Sequence, residues 1–157
     1  MTYQCERIQR EAQAAAYIRT RTPVEKLPEV MGSVYGIIAG ILGARREAPA
    51  GPPYTAYYNM DMQNLDVEIG FPIQAPFPET GEVRIGAIPA GAYASCIHTG
   101  PYGAIEPVYT ALAAWIEEQG LTHSGVSYEF YLNDPGSTPP GSLLTQVLFP
   151  IKPRGSA

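Results

Sequence analysis

The chain has 157 residues, which suits one domain with its own core, and its 45% apolar and 16% charged residues exclude the disordered and fibrous classes. The formal net charge of -5, with scattered Lys and Arg, argues against nucleic-acid binding and suits a neutral or cationic ligand. Two cysteines without a Cys/His cluster indicate neither a disulfide framework nor a metal site, and no cofactor motif is present.

The N-terminal segment, MTYQCERIQREA, lacks the apolar core of a signal peptide. We find no apolar run near the roughly 18 residues that a membrane span requires. The chain is therefore expected to be a cytoplasmic protein with no membrane partner.

A repeated unit organises the chain, mostly at an offset of 78 residues. At this offset Phe71-Pro72-Ile73 recurs as Phe149-Pro150-Ile151, and four apolar residues with helical spacing also recur: Leu27, Val30, Val34 and Ile38 as Ile105, Val108, Leu112 and Ile116. Between these segments the offset is 74, as shown by the recurrence of Gly51, Tyr54, Tyr57 and Asn59 as Gly125, Tyr128, Tyr131 and Asn133. We predict a single domain over residues 1–157 made of two repeats, about 1–78 and 79–153.

The first repeat is predicted to contain strands at 4–10 and 14–20, which could form one long bent strand. A helix follows from about Val24 to Leu42, with Thr22 as its N-cap and Gly43 near its end. A hairpin of residues 54–60 with 65–73 completes the unit, with Asn64 in its turn.

The second repeat is predicted to follow the same order, with strands at 82–88 and 92–98 and a bend near 89–91. Its helix runs from about Tyr102 to Gln119 and stops at Gly120, and its hairpin joins 126–133 to 143–151. The final residues, 152–157, are expected to be a disordered tail. The fold class is then α+β: duplicated βαββ units form an antiparallel sheet of eight strands or fewer, with two helices on one face and a central ligand groove on the other.

Strand alternation predicts which side chains face the groove. The helix face takes two matching sets: Val67, Ile69, Phe71 and Ile73 in the first repeat, and Thr145, Val147, Phe149 and Ile151 in the second. The opposite face then gathers aromatic, acidic and amide side chains: Tyr57, Glu68, Glu129, Tyr131 and Gln146, with Leu148 beside them. Carboxylates within aromatic walls favour an amphipathic, cationic ligand.

Four further residues have chemically notable side chains. Trp115, on the second helix, either packs in the core or lines the pocket. His98 and His123 are isolated and do not indicate metal binding, and Cys96 is typical of a small buried residue rather than a nucleophile.

Several segments together resemble the GyrI-like small-molecule-binding domain, which also occurs as the effector-binding domain of transcription regulators. These segments are IPAGAYASCIHTGPYGAIEPVYTALAAWIEEQG, YEFYLNDP and LLTQVLFPI, with DVEIGFPI and YYNM in the first half, so the resemblance covers nearly the whole chain. It implies a duplicated βαββ fold whose groove holds hydrophobic, often cationic or multi-aromatic compounds over a glutamate.

The resemblance also assigns individual residues. Glu68 matches the acid of an ExGxP motif, Glu129 and Tyr131 match an ExYxxDP motif, and Tyr102 matches the aromatic residue after an HxGP turn. Tyr57 is assigned by the repeat as much as by the family. We predict Glu129 and Tyr57 as catalytic residues if the protein is an enzyme, and the following as ligand-binding residues: Glu68, Tyr131, Tyr102, Trp115, Gln146 and Leu148.

Three functions are open from the sequence. We expect binding of a hydrophobic or cationic aromatic small molecule, for xenobiotic sensing, sequestration or detoxification. The resemblance also implies a hydrolase that opens cyclopropane-bearing genotoxins with Tyr, Glu and water, or an inhibitor of the gyrase-inhibitor type that binds a protein partner. The chain is expected to be a monomer or homodimer that does not bind nucleic acid directly.

Overall fold

A computed structural model describes residues 3–153, and over this range the chain forms nine strands and two α-helices, which confirms the α+β class. Single 3-10 turns lie at Val24–Lys26, Tyr102–Ala104 and Pro140–Ser142. In chain order the elements are β1 (Glu6–Arg10), β2 (Gln13–Thr22), α1 (Leu27–Ala44), β3 (Tyr54–Tyr57), β4 (Leu65–Pro72), β5 (Arg84–Ile88), β6 (Gly91–Thr99), α2 (Glu106–Glu118), β7 (Leu121–His123), β8 (Ser127–Tyr131) and β9 (Leu144–Pro153).

The described residues fall into two compact units. The first unit is residues 12–89, and the second unit is residues 3–11 with residues 90–153. The two halves of each predicted bent strand are separate strands in different units, because β1 pairs with β6 whereas β2 pairs with β4 and β5.

In the first unit the antiparallel strands lie in the order β3, β4, β2, β5. Helix α1 packs on one face of these strands through Val34, Ile38 and Leu42. In the same core lie Val67 and Ile69 of β4 and Ile73, which directly follows β4. The predicted helix face of this strand is therefore confirmed.

In the second unit the order is β1, β6, β9, β8, and β7 pairs with the far end of β9. Helix α2 packs on one face through a matching core, which contains Val108, Leu112, Ile116, Cys96, Val147, Phe149 and Ile151. Strand β7 was not predicted. Pairing with β7 extends β9 through Lys152 and Pro153, which were expected to begin a disordered tail; the rest of that tail lies outside the described residues.

The predicted N-cap of the first helix is wrong, and a 3-10 turn at Val24–Lys26 precedes the α-helix, which itself begins later than predicted. Thr22 is the buried last residue of β2, where it pairs with Leu65, and its hydroxyl donates to the Pro23 carbonyl oxygen at 3.0 Å. Because this side chain is held at the end of the strand, it does not cap α1, which begins at Leu27 without a side-chain cap. The second helix also begins later than predicted, at Glu106.

The helix repeat has a different register from the one predicted. The buried residues of α1 and α2 correspond at an offset of 74, since Val34, Ile38 and Leu42 occupy the places of Val108, Leu112 and Ile116. Helical apolar patterns look alike when shifted by four residues, about one turn, so the sequence match at 78 was one turn off. The 13-residue α2 is correspondingly shorter than the 18-residue α1.

The stretch Val24–Ala44 is, at 21 residues, long and apolar enough to cross a membrane by length and composition. The prediction that the chain contains no apolar run of this length is therefore wrong. In the structure this stretch has another role, because α1 packs its buried residues onto β2 and β4. The core helix of a folded domain meets the same length and composition test.

Gly70 in β4 tests the packing of the first unit. A Cβ at this position would lie 2.3 Å from the Ala16 carbonyl oxygen, so we predict that Gly70→Ala lowers the free energy of unfolding by about 1–3 kcal/mol. Gly36→Ala is the matched control, because a Cβ at this position on α1 has no atom within 4 Å. We expect it to raise the free energy of unfolding by about 0.5–1 kcal/mol. Urea unfolding followed by circular dichroism measures both, and an unchanged Gly70→Ala midpoint would contradict the packing.

Candidate functional site

The pairing of β8 with β9 determines which way Glu129 faces. Glu129 lies directly opposite Val147, and Tyr131 lies opposite Thr145. Directly opposed residues share a face of an antiparallel sheet, and Val147 packs against α2. Glu129 and Tyr131 therefore face α2, and the prediction that they lie on the face away from the helices is wrong.

Glu129 is held by phenol groups on that face. Tyr109 of α2 donates its hydroxyl to Oε2 of Glu129, and Tyr131 donates to Oε1 at 3.0 Å. The residue as a whole is 7% exposed, so these hydrogen bonds replace water around a buried acid. The ring of Tyr102 lies 5.3 Å from that of Tyr131, centre to centre. We call Tyr102, Tyr109, Glu129 and Tyr131 the Glu129 cluster.

Tyr102 carries a neutral phenol in this cluster. Burial raises its pKa above the ordinary value, and the nearby carboxylates of Asp134 and Glu129 raise it further. A neutral phenol adds polarisable aromatic surface without adding charge. The negative charge of the cluster is therefore that of Glu129.

The first unit has the same arrangement without the acid. Tyr35 of α1 bonds through its hydroxyl to the Tyr54 carbonyl oxygen at 2.7 Å and to Thr55 Oγ1 at 3.2 Å. Tyr35 and Thr55 are each 74 residues before Tyr109 and Glu129. Thr55 thus occupies the place of Glu129, so a carboxylate at this position is not something that the fold itself requires.

Glu68 forms a second buried acidic cluster, in the first unit. It lies between Val67 and Ile69 of the core, so its side chain points away from α1, as predicted. Tyr54 donates to its Oε2 at 2.6 Å and Tyr58 donates to its Oε1 at 2.7 Å, and Glu68 is 8% exposed. We call Tyr54, Tyr58 and Glu68 the Glu68 cluster.

A positive charge of the protein lies beside the Glu68 cluster. Arg19 is directly opposite Glu68 across β2 and β4. Its guanidinium lies 3.8 Å from the centre of the Tyr58 ring and pairs with Asp66 at 2.9 Å. The Glu68 carboxylate is thus already close to a cation.

Tyr57 does not reach Glu68. It lies opposite Val67 and packs against the core beneath α1, so the prediction that it shares the face of Glu68 is wrong. Ala56 is the residue opposite Glu68, which turns Tyr54 and Tyr58 towards the acid. Neither tyrosine was predicted as a site residue, because three tyrosines in YTAYY leave the parity of the strand ambiguous.

The other predicted site residues of the second unit are dispersed. Gln146 lies opposite Phe130 on the face away from α2, where it donates to Ser95 Oγ at 3.0 Å. Leu148 is fully buried on that same face. Trp115 is partly buried against the core of α2. None of these three residues belongs to the Glu129 cluster.

Tyr109 was missed by sequence reasoning. The signal that could have found it is the 74-residue offset, which relates it to Tyr35 once the helices are aligned one turn differently. Within residues 3–153, no group of three His, Cys, Asp or Glu side chains converges as metal ligands would.

Residues 3–152 match the sequence model of the GyrI-like small molecule binding domain. No curated protein matches the chain at the sequence level. Among solved structures, the EcmrR C-terminal domain is 21% identical with a TM-score of 0.79, and the alignment covers 98% of this chain and 99% of that domain.

EcmrR has also been solved in a complex with DNA, and that chain is 20% identical with a TM-score of 0.86. The alignment covers 96% of this chain and 58% of the EcmrR chain, so this chain spans little more than half of that relative. SAV2435 bound to tetraphenylphosphonium is 12% identical with a TM-score of 0.66, over 97% and 94% of the two chains. A hydrolase from Listeria innocua is 15% identical with a TM-score of 0.71, over 95% and 92%. At these identities the likeness shows the fold.

Cys96 provides a test of burial beneath α2. It is 1% exposed, as predicted for a small buried residue, and burial raises the pKa of its thiol to about 12. The unfolded chain loses this proton near pH 9 while the folded chain keeps it, so stability falls as the pH rises from about 9 towards 12. In urea titrations at pH 7.5 and pH 10, we expect Cys96→Ala to show a smaller fall than the wild type. Equal falls would contradict the shifted pKa.

Proposed function

Because the chain belongs to the GyrI-like small-molecule-binding domain family, we propose that its second unit binds hydrophobic organic cations at the Glu129 cluster. One observation carries this proposal. A buried carboxylate, held by Tyr109 and Tyr131, stands where the equivalent place in the first unit has Thr55. Burying a carboxylate has a free-energy cost, and Thr55 shows that the fold can be built with a hydroxyl at this place. The acid at Glu129 is therefore best explained by a function.

The chemistry of the cluster selects the ligand class. A carboxylate at low exposure attracts a cation more strongly than one in water, because the local dielectric constant is lower. Aromatic rings such as those of Tyr102 and Tyr131 bind both apolar surface and positive charge through their faces. An organic cation with its charge spread over aromatic groups loses little hydration on entering such a site, so this class fits better than a small ammonium ion.

Two further observations support a cationic ligand. The chain carries a formal net charge of -5, which favours the approach of cations. The structurally similar SAV2435 has been solved with tetraphenylphosphonium, a cation of this class. We propose that binding serves sensing, sequestration or detoxification of such compounds in the cytoplasm, where Cys5 and Cys96 would remain reduced.

The geometry favours binding over hydrolysis, the activity for which the Listeria innocua neighbour is named. Both carboxylate oxygens of Glu129 accept hydrogen bonds from phenols. These bonds hold the carboxylate in one orientation, which suits a fixed counter-charge for a bound cation.

Tetraphenylphosphonium binding to the two acid variants tests the proposal. We expect Glu129→Gln to weaken binding about 10- to 100-fold, since it removes one charge from a buried site and keeps the shape. Glu68→Gln is the matched control, because Glu68 is equally buried and also held by two phenols but has Arg19 beside it, and we expect a change of less than about 2-fold. Isothermal titration calorimetry measures both affinities.

Neutral triphenylphosphine oxide is the ligand control, because Glu129→Gln should leave its affinity unchanged. Circular dichroism verifies that both variants are folded. Wild-type affinity for tetraphenylphosphonium in Glu129→Gln would contradict the proposal. A loss confined to Glu68→Gln would instead assign the ligand to the Glu68 cluster.

A further inference from the structure

Two polar atoms of the second unit are buried without a hydrogen-bond partner. They are Nδ1 of His98 and Oγ1 of Thr145, and the two residues are 3% and 0% exposed. Burying a polar group without a partner carries a free-energy cost, which is why native proteins hold few of them. Two such atoms in one place indicate that a further hydrogen-bonding group belongs there.

The two atoms belong to neighbouring side chains beside the Glu129 cluster. His98 lies directly opposite Thr145 across β6 and β9, and Thr145 lies directly opposite Tyr131 across β9 and β8. Tyr131, Thr145 and His98 therefore form a row across three strands on the face that α2 covers. We call these three residues the polar row. Tyr131 is shared by the row and the cluster.

The hydrogen bond of His98 defines what the row can accept. Nε2 lies 3.0 Å from the Pro101 carbonyl oxygen, which can only accept, so Nε2 carries the proton. In the neutral ring Nδ1 is then an acceptor. The Thr145 hydroxyl both donates and accepts. One group satisfies both atoms if it donates to Nδ1 and accepts from Thr145, and a hydroxyl does this with a single oxygen.

We propose that His98 and Thr145 form a hydroxyl-binding subsite of the ligand site anchored by Glu129. This inference rests on the proposed function and narrows its ligand class to aromatic cations that carry a hydroxyl group. The ligand reaches the row past Tyr102, which is half-buried and lies between Gly100, with a φ of 132°, and Gly103. Entry of the ligand requires the ring of Tyr102, which lies 5.3 Å from that of Tyr131, to move aside.

A pair of probes that differ by one hydroxyl tests this subsite. The probes are tetraphenylphosphonium and (4-hydroxyphenyl)triphenylphosphonium, measured by calorimetry. We expect the wild type to bind the hydroxylated probe about 5- to 10-fold more tightly, which corresponds to the net effect of one buried hydrogen bond.

Thr145→Val is the decisive variant, because it removes the hydroxyl and keeps the shape of the side chain. We expect it to abolish the preference while the affinity for tetraphenylphosphonium changes by less than about 2-fold. Thr145→Ser restores the hydroxyl and should restore the preference. If Thr145→Val does not fold, the wild type alone still decides the question, because equal affinity for the two probes overturns the subsite.

Equal affinity of the wild type for the two probes overturns the subsite, and so does a preference that survives in Thr145→Val. A row that holds only an ordered water gives the first of these results. If tetraphenylphosphonium binds and depends on Glu129 but the preference is absent, the subsite alone fails. If neither probe binds the folded wild type, the proposed function fails and the subsite fails with it.

Discussion

The cross-strand pairing of Glu129 with Val147 is the constraint on which the site depends. A slip of one residue would turn Glu129 away from α2 and Phe130 towards it, since successive residues alternate between faces. Asn133 holds this register just beyond β8. Its Oδ1 accepts from the Leu144 backbone amide at 3.0 Å, and its Nδ2 donates to the Ser142 carbonyl oxygen at 3.0 Å.

The first unit uses the same device, which shows how the duplication works. Asn59, 74 residues earlier, accepts from the Asp66 amide at 2.9 Å and donates to the Asn64 carbonyl oxygen at 3.0 Å. Both hairpins are thus fixed by an amide side chain, and both helices place a tyrosine over the neighbouring strand. The units differ in where they carry a charge: Glu129 faces its helix, whereas Glu68 faces away from its own. A shared scaffold has therefore supported two different placements of a buried acid.

The sequence predicted the helices, the hairpins and the core faces of β4 and β9, because those strands have apolar residues on the helix face in strict alternation. It did not predict the faces of β3 and β8. All five residues of β8 are buried, so apolar and polar residues occur on both faces and alternation carries no information. Glu129 was identified by strand alternation, which assigned it to the wrong face, and by motif resemblance. Its partner Tyr109 was missed, because helical patterns repeat every turn and the alignment chosen was one turn off.

The position of a bound cation tests the central claim most directly. Intermolecular nuclear Overhauser effects can be measured between the phenyl protons of tetraphenylphosphonium and the tyrosine rings of the labelled protein. If Glu129 facing α2 is the anchor, contacts should be seen to Tyr109 and Tyr131. Contacts confined to Tyr54 and Tyr58, the phenols around Glu68, would contradict it.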